Sequence, residues 1–507
     1  MKKHLTSMWT GVTSSGNLDD WFNNYQFVSC HGPVFWLPEL EVGQNSIEDF
    51  AVASGSFGVL VLTLTFAATF HSAYAFTGIV GFVYNDGVGF WVNGLWLVPP
   101  ALLFWIFGRR LWILGKKHKF FSLAEYMGKF YDSNLIGLLT VFIHAVFITP
   151  YIGIQLTGSG YIFQTVTEGK IPFALGATVM MIILVAYVWA GGIRAVAWTD
   201  TFQGIFMFVG ILLGSWLIVR NVAGSSAAAF QDAVRSIPEF FSLPGPSGAI
   251  TTWNYISRWV VICLGMAMGP HIIIRMFTAK SLKVLKWASI FGALYLTIIY
   301  WFTPAVGALA RVISPGAGSP DQLMVDYLWQ YTPVVFAAVL LGGGFAAAMS
   351  TADSQAHAVS TTLAVDVYKK HIKPDASSRQ LTMVSRWMIV VLSLVSLYIA
   401  ISQPTMLVNL LAISTGGIAQ LTPAFVGSLY WKKSTKAGAL ASLFGGMGVL
   451  ILTQFFWTNP FGLGILPPFW GLVAGSILFV VVSLVTTPVD DKTIQETQVF
   501  TDNIING

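Results

Sequence analysis

Long apolar stretches separated by short polar loops run along most of the chain. A helix that crosses a lipid bilayer needs about 20 mostly apolar residues, and this rule predicts twelve such helices. They are predicted over residues 52–80, 88–108, 135–165, 172–190, 198–219, 255–277, 286–312, 333–360, 382–402, 405–431, 438–457 and 467–487. Residues 1–51 contain no apolar run of that length, so they are predicted to form an N-terminal segment without a span.

The composition agrees with this pattern. Hydrophobic residues make up 55% of the 507 residues and charged residues only 10%, whereas soluble domains usually carry about 25% charged residues. The chain is therefore predicted to be an all-α integral membrane protein, and a soluble enzyme or a nucleic-acid-binding protein is excluded. The two cysteines, Cys30 and Cys263, lie far apart and imply neither a disulfide framework nor a zinc site.

The distribution of lysine and arginine predicts the orientation in the membrane, because cytoplasmic loops carry an excess of these residues. If the amino terminus is cytoplasmic, all but five of the 27 lysines and arginines fall in cytoplasmic loops or tails. The five on the other side are Lys170, Arg220, Arg235, Arg258 and Arg311. Both termini, including a tail at 488–507, are therefore predicted to be cytoplasmic, in a plasma membrane or bacterial inner membrane.

The predicted helices divide into two sets of five, followed by two more. The first set occupies 52–219, the second occupies 255–431, and the additional C-terminal helices occupy 438–487. Because each set contains an odd number of helices, the second set is inverted relative to the first.

The first helix of each set carries a feature that interrupts an apolar helix. Thr69, His71 and Ser72 form a polar cluster in helix one, and Gly269-Pro270 lies inside helix six, where proline removes a backbone hydrogen bond. Matching interruptions in two inverted halves indicate a transporter with a binding site near the middle of the membrane. The alternative for Gly269-Pro270 is a simple kink, which membrane helices tolerate.

Two of the 22 acidic residues, Asp200 and Asp353, fall inside predicted helices. Ionisable groups within the membrane are candidates for function. Asp200 lies at the start of helix five, with Arg194 nearby in sequence, and the helix dipole favours a negative charge there. The dipole accounts for this carboxylate as well as a functional role does, so both interpretations stay open.

Helix eight carries a small residue and three hydroxyls at positions i, i+3, i+4 and i+7, which lie on one helical face. They are Ala347, Ser350, Thr351 and Ser354. Such a stripe can allow close packing, with its hydroxyls bonded back to their own helix. It can also offer oxygen ligands to a small hard cation. The spacing alone favours packing.

The histidines occur singly, without metal-binding spacing. His144 and His357 are predicted to be packing residues, and His271 follows Pro270 directly, where it can bond a carbonyl that the break leaves free. His71, beside Ser72, is the candidate for a proton-linked role.

At these residues the chain resembles the sodium/solute symporter family, which contains proline, pantothenate, monocarboxylate and sugar symporters. The most specific segments are Gly-Gly-Ile-Arg-Ala-Val-Ala-Trp-Thr-Asp-Thr-Phe-Gln at 191–203 and Ala-Met-Ser-Thr-Ala-Asp-Ser-Gln at 348–355. Further likeness lies at 45–50, 67–73, 269–275 and 431–439. The resemblance implies a LeuT-type five-plus-five inverted repeat with extra C-terminal helices, and sodium-driven uptake by alternating access.

The resemblance also implies residues for the site. In the family, carbonyls of the broken first helix, together with a carbonyl and two hydroxyls of helix eight, hold a sodium ion. The matching positions are Ala68, His71, Ala347, Ser350 and Thr351. The last three share the helical face described above, which favours cation ligands over packing. Asp200 matches the signature carboxylate that supports sodium coupling in relatives, and the implied substrate contacts are Ser72, Ile262, Met266 and Pro270.

The sequence therefore predicts a sodium-coupled symporter for a small organic solute. A pocket of Ser72, His71, Ile262 and Met266 offers few polar groups, which suits a monocarboxylate or similar small anion better than a sugar. Proline symporters carry an aspartate where this chain has Phe70, which argues against proline. The expected partners are this solute, sodium as the coupling ion and the lipid bilayer, with no nucleic acid and no obligate protein partner.

Two other functions stay open on the sequence alone. One is proton-coupled symport through His71 and Asp200, and the other is a solute-sensing membrane receptor that does not transport, although no effector domain follows residue 488. An intramembrane hydrolase or acyltransferase is not favoured, because no nucleophile–histidine–carboxylate arrangement or paired metal ligands are visible. The chain is therefore predicted not to be an enzyme.

Overall fold

The computed structural model of the chain describes residues 47–92, 97–223, 231, 234–248 and 250–506. These residues are helical and contain no sheet, apart from one isolated parallel bridge between Phe57 and Ala279. The principal helices in chain order are α1 (Ile47–Val52), α2 (Val59–Phe70), α3 (Tyr74–Asp86), α4 (Val98–His118), α5 (Leu123–Phe130), α6 (Asn134–Val166), α7 (Phe173–Ala223), α8 (Thr252–Ala267), α9 (Pro270–Thr278), α10 (Leu282–Ile313), α11 (Leu323–Tyr331), α12 (Val334–Thr362), α13 (Ser378–Ser402), α14 (Leu407–Ala419), α15 (Thr422–Tyr430), α16 (Lys436–Ile451) and α17 (Pro467–Val485).

Among the described residues, seven helices are long and apolar enough to cross a membrane, and ten spans result if each of three bent helix pairs is one span. The bent pairs are α2–α3, α8–α9 and α14–α15, with bends of 57°, 44° and 40°. The break between α14 and α15 has no counterpart in the predicted helix ten, which runs uninterrupted over 405–431. Most of the predicted N-terminal segment, residues 1–46, lies outside the described residues.

The remaining two of the twelve predicted helices fall on α7 and α4. Helix α7 covers the predicted fourth and fifth helices, and Gly192 breaks its regular geometry with φ 55° and ψ −154°. Helix α4 is long enough to span, but its last three turns contain Arg109, Arg110, Lys116 and Lys117.

The second predicted helix, 88–108, is displaced by ten residues in the structure, where α4 covers Val98–His118. The prediction was wrong because it placed Pro99 and Pro100 in the helix interior. Proline lacks a backbone N–H and is favoured in the first helical turn, and both prolines occupy that turn of α4.

Helix α12 lies at the centre of the bundle, where it contacts α2, α6, α7 and α9. Every residue from Ser350 to Thr362 is buried. Small residues allow this arrangement, because a side chain at Gly210 of α7 would lie 3.3 Å from the Cα of Gly343 in α12. The polar face of α12 is therefore surrounded by other helices rather than by lipid.

The bridge at Phe57 joins the start of the first broken helix to the end of the second. The amide of Phe57 donates to the carbonyl of Thr278 at 3.0 Å, and the amide of Lys280 donates to the carbonyl of Phe57 at 2.9 Å. Since Phe57 lies two residues before α2, and Thr278 is the last residue of α9, the two broken helices share a fixed end.

Replacing Gly192 by alanine is expected to destabilise the fold by about 1–3 kcal/mol, because a side chain rarely adopts this backbone conformation. The added Cβ would also lie 2.6 Å from Cδ2 of Phe50. The measurement is the unfolding midpoint of the detergent-purified protein.

Gly448→Ala is the matched control, because this glycine is exposed on α16 and a Cβ there meets no atom within 4 Å. The control is expected to be neutral or slightly stabilising, by up to about 1 kcal/mol. Equal midpoints for the two variants would contradict the assigned strain at Gly192.

Candidate functional site

The break between α2 and α3 leaves backbone carbonyls without their helical partners. His71 ends α2 in an extended conformation, with φ −83° and ψ 116°. In a continuous helix the amide of Ala73 would bond the carbonyl of Thr69, but it donates instead to Oε1 of Gln155 at 2.7 Å. Gln155 on α6 therefore replaces one helical hydrogen bond and keeps the break open.

Two hydroxyls of α12 meet these carbonyls. The hydroxyl of Ser350 donates to the carbonyl of Ala68 at 3.0 Å, and that of Thr351 donates to the carbonyl of His71 at 2.8 Å. The carbonyl of Ala347 lies 3.2 Å from Ser350 Oγ and 3.3 Å from Thr351 Oγ1. The structure thus brings together all five oxygens that were predicted to hold sodium. Such a set suits a hard cation, which prefers oxygen ligands.

A buried ion pair lies one helical turn from these oxygens. The guanidinium of Arg275 on α9 donates to Asp200 on α7 at 2.8 Å and to the hydroxyl of Ser354 on α12 at 2.5 Å. The hydroxyl of Thr65 on α2 donates to Asp200 at 2.5 Å. All four side chains are completely buried, so this network joins α2, α7, α9 and α12.

Asp353 adds a second carboxylate to the network. It accepts hydrogen bonds from the hydroxyl of Tyr187 and, at 3.0 Å, from that of Ser354. Within the described residues, Arg275 is the one cation in this network. Asp353 is therefore linked through Ser354 to the Asp200–Arg275 pair.

One of the two open interpretations of Asp200 is wrong. Asp200 does not open a helix, since α7 continues through it and the Gly192 break lies eight residues earlier; the helix dipole therefore does not account for its charge. Arg194 is not its partner, because Arg194 pairs with Asp49 at 2.5 Å. This hydrogen-bonded guanidinium lowers the pKa of Asp49 below its usual value.

Arg275 was missed as a functional residue because the orientation analysis counted it among cytoplasmic loop residues. The predicted sixth helix, 255–277, already contained it, and an arginine within a span is a candidate by default. That rule would have identified Arg275, although not its partner. Gln155 and Tyr187 carry no comparable sequence signal.

The predicted substrate contacts are buried around the two breaks. Tyr151 on α6 links two of them, because its hydroxyl lies 3.4 Å from Sδ of Met266 and within hydrogen-bonding range of Ser72. Ile262 lies one turn before Met266 on α8, and Pro270 is the first residue of α9. The structure therefore places Ser72 and Met266 on either side of Tyr151.

Several buried polar atoms in this region have no hydrogen-bond partner in the described part of the chain. They are Nε2 of His71, the hydroxyl of Tyr74, both ring nitrogens of His271 and the hydroxyl of Thr303. The other nitrogen of His71 lies 3.2 Å from the carbonyl of Ala67, and its ring packs against Tyr295 and Tyr300 on α10. His144 and His357 each bond a backbone carbonyl, at 3.1 and 2.8 Å. Such unpaired groups can bind a polar solute.

Comparison with known proteins relates this geometry to transporters. A model of the sodium:solute symporter family matches residues 50–446. The sodium/pantothenate symporter of Escherichia coli (strain K12) is 28% identical over 413 residues, which are 80% of this chain and 83% of that protein. The sodium/proline symporter of the same strain is 25% identical over 461 residues, covering 87% and 88% of the two chains.

Solved structures agree with the predicted fold. A Na+-coupled sialic acid symporter in a substrate-bound outward-open state matches with a TM-score of 0.75 and 18% identity, over 88% of this chain and 94% of that one. Mhp1, a nucleobase-cation-symport-1 family transporter, matches with a TM-score of 0.59 and 13% identity, over 90% and 98%. The predicted LeuT-type architecture is confirmed.

Replacing Asp200 by asparagine is expected to cost about 3–5 kcal/mol of stability, because the buried Arg275 then loses the carboxylate with which it forms its ion pair. The measurement is the unfolding midpoint in detergent, compared with the double variant Asp200→Asn with Arg275→Met. The double variant is expected to lose less than the sum of the two single variants.

Asp49→Asn is the control, since it also breaks an aspartate–arginine pair, but one whose Arg194 side chain is 46% exposed. An exposed pair contributes about 1 kcal/mol or less. Additive losses at Asp200 and Arg275 would show that the buried pair is not coupled.

Proposed function

Because this chain belongs to the sodium:solute symporter family, we propose that it transports a small organic anion together with sodium, by alternating access. The family match and the spanning helices make it a multi-pass membrane protein. The resemblance predicted from 191–203 and 348–355 is confirmed. The domain boundaries and the cytoplasmic location of both termini stay predictions.

The observation that carries the proposal is the meeting of the α2–α3 break with the hydroxyls of α12. Ala68, His71, Ala347, Ser350 and Thr351 each contribute one oxygen within hydrogen-bonding distance of another member of the set. A sodium ion bound here would replace the hydrogen bonds that now join the hydroxyls to the carbonyls. Since the carbonyls of Ala68 and His71 lie at the end of α2 and the other three oxygens lie on α12, the ion would link two helices of different halves.

The Asp200–Arg275 pair is connected to the proposed sodium site. Thr65 and Ser354, which bond the Asp200–Arg275 pair, lie on the same two helices as the oxygen set, about one turn away. We assign Asp200 a coupling role through this connection, because a shift of α2 on binding sodium also displaces Thr65. Asp200 is held in an ion pair, so it acts here by position rather than as a free proton carrier.

The relatives support an anionic substrate. Pantothenate, proline and sialic acid, after which the similar proteins are named, all carry a carboxylate. Phe70 packs against Phe66 with ring centroids 4.8 Å apart, so this position offers no charge for the amino group of proline. The apolar lining by Ile262 and Met266 and the few hydroxyls near Ser72 favour a small monocarboxylate.

Sodium entering the cell supplies the free energy for uptake. One charge that moves through a membrane potential of about 100 mV yields roughly 2.3 kcal/mol, in addition to the concentration gradient. Sodium stabilises whichever conformation binds it better and thereby raises substrate affinity, and the substrate raises sodium affinity by the same factor.

Sodium is expected to raise the thermal unfolding midpoint of the detergent-purified protein relative to choline. A ligand at 100 times its Kd stabilises the folded state by about 2.7 kcal/mol. Ser350→Ala with Thr351→Ala removes both hydroxyl ligands and is expected to abolish the sodium effect. Sodium-driven uptake of labelled lactate or pyruvate into proteoliposomes is expected to be lost in parallel.

The matched control is Thr178→Ala with Ser476→Ala. These hydroxyls each bond a carbonyl of their own helix at 2.7 Å, so their loss is expected to leave the sodium effect intact. The absence of any difference between sodium and choline at all concentrations would contradict sodium coupling. An alkaline collapse of uptake without a sodium requirement would identify proton coupling instead.

A further inference from the structure

Arg258 lies on the same face of α8 as two of the proposed substrate contacts. Residues 258, 262 and 266 follow one another at intervals of four, which places Arg258, Ile262 and Met266 in one row along the helix. With a rise of about 1.5 Å per residue, Arg258 lies roughly 6 Å beyond Ile262 and 12 Å beyond Met266 along the axis. The long arginine side chain can therefore reach a solute that contacts Ile262.

Among the described residues, no carboxylate forms an ion pair with the guanidinium of Arg258. Its Nε and NH1 atoms are buried and have no hydrogen-bond partner in that part of the chain, and the residue as a whole is half-buried. Its central carbon lies 5.4 Å from the centre of the Phe82 ring. Tyr74 and Asp86 are the groups close enough to interact with it electrostatically.

Tyr74 provides a second unpaired donor at the same place. It follows Ser72 by two residues, on the far side of the α2–α3 break, and its buried hydroxyl has no hydrogen-bond partner. Tyr74 is also within electrostatic range of Tyr151, which contacts Ser72 and Met266. The row on α8 and the start of α3 therefore face one another across a single region.

A buried charge without a partner is costly, so buried charges in proteins are normally paired. We propose that Arg258, with the hydroxyl of Tyr74, forms the subsite that binds the carboxylate of the transported solute. The proposal rests on the function proposed above and names the group that recognises the anion. Binding would pair the guanidinium, which the free protein leaves unpaired.

The chemistry of the subsite selects a monocarboxylate. A guanidinium presents two parallel N–H groups that match the two oxygens of a carboxylate. A single arginine balances one negative charge, and Asp86 and Asp321 lie near enough to Arg258 or Tyr74 to disfavour a dianion. The contact with Phe82 holds the guanidinium in place but does not neutralise it.

The test measures ligand-dependent thermal stability of the purified full-length protein in sodium, with lactate and pantothenate as probes. Lactamide and panthenol are their uncharged analogues. The carboxylates are expected to stabilise the wild type and the analogues are not. In Arg258→Gln, the concentration needed for the same stabilisation is expected to rise about 10- to 100-fold, since a charged hydrogen-bonded pair is lost. Arg258→Lys, which keeps the charge, is expected to lose less.

Arg311→Gln is the matched control. The guanidinium of Arg311 lies 5.4 Å from the centre of the Tyr84 ring, so the variant removes the same charge and the same kind of ring contact. Arg311 lies on α10, outside the row on α8, and its loss is expected to leave carboxylate binding unchanged. The stabilisation of Arg258→Gln by sodium alone is expected to equal that of the wild type, which verifies that the variant folds.

Several outcomes would overturn the proposal. Equal responses to a carboxylate and its uncharged analogue, or equal affinities in Arg258→Gln and the wild type, would show that Arg258 does not bind the solute. Sodium chloride that protects the wild type better than sodium isethionate, without any carboxylate effect, would identify a chloride site instead. Stabilisation by sodium without any carboxylate response would refute the subsite and leave sodium coupling standing, whereas no response to sodium would refute the coupling itself.

Discussion

The pairing of Asp200 with Arg275 is the interaction on which the centre of the protein depends. An isolated charge in a membrane-spanning bundle costs several kcal/mol, so neither residue can lie there alone. Hydroxyls on two other helices bond the pair, through Thr65 and Ser354. The positions of α2, α7, α9 and α12 are therefore set together by one electrostatic requirement.

The need to satisfy buried polar groups also explains why the broken helices are stable. A carbonyl that a helix break releases into a low-dielectric environment needs a donor or a cation. Here Gln155 takes the free amide on one side of the break, and the hydroxyls of α12 take the carbonyls on the other. The stripe of hydroxyls thus packs against α2 and also presents oxygens that suit a cation, so the two interpretations of its spacing are compatible with one arrangement.

The sequence alone predicted the helices well because apolar length determines what can cross a bilayer. It predicted the oxygen set because positions on one helical face are encoded locally, and the likeness of the motifs supplied the carbonyls of α2. It did not predict the partner of Asp200, since Arg275 lies 75 residues away on another helix and periodicity does not identify a facing neighbour. The bounds predicted for the second helix were wrong for a local reason, because Pro99 and Pro100 occupy the first turn of α4.

The backbone bridge between Phe57 and Ala279 links the two broken helices mechanically. Its two hydrogen bonds, of 3.0 and 2.9 Å, join the N-terminal end of α2 to the C-terminal end of α9, away from both breaks. If the N-terminal end of α2 moves, the C-terminal end of α9 must move with it, or both hydrogen bonds break. The two broken helices, one from each half of the repeat, are consequently tied together at the ends far from their breaks, while the segments next to the breaks are free of this constraint.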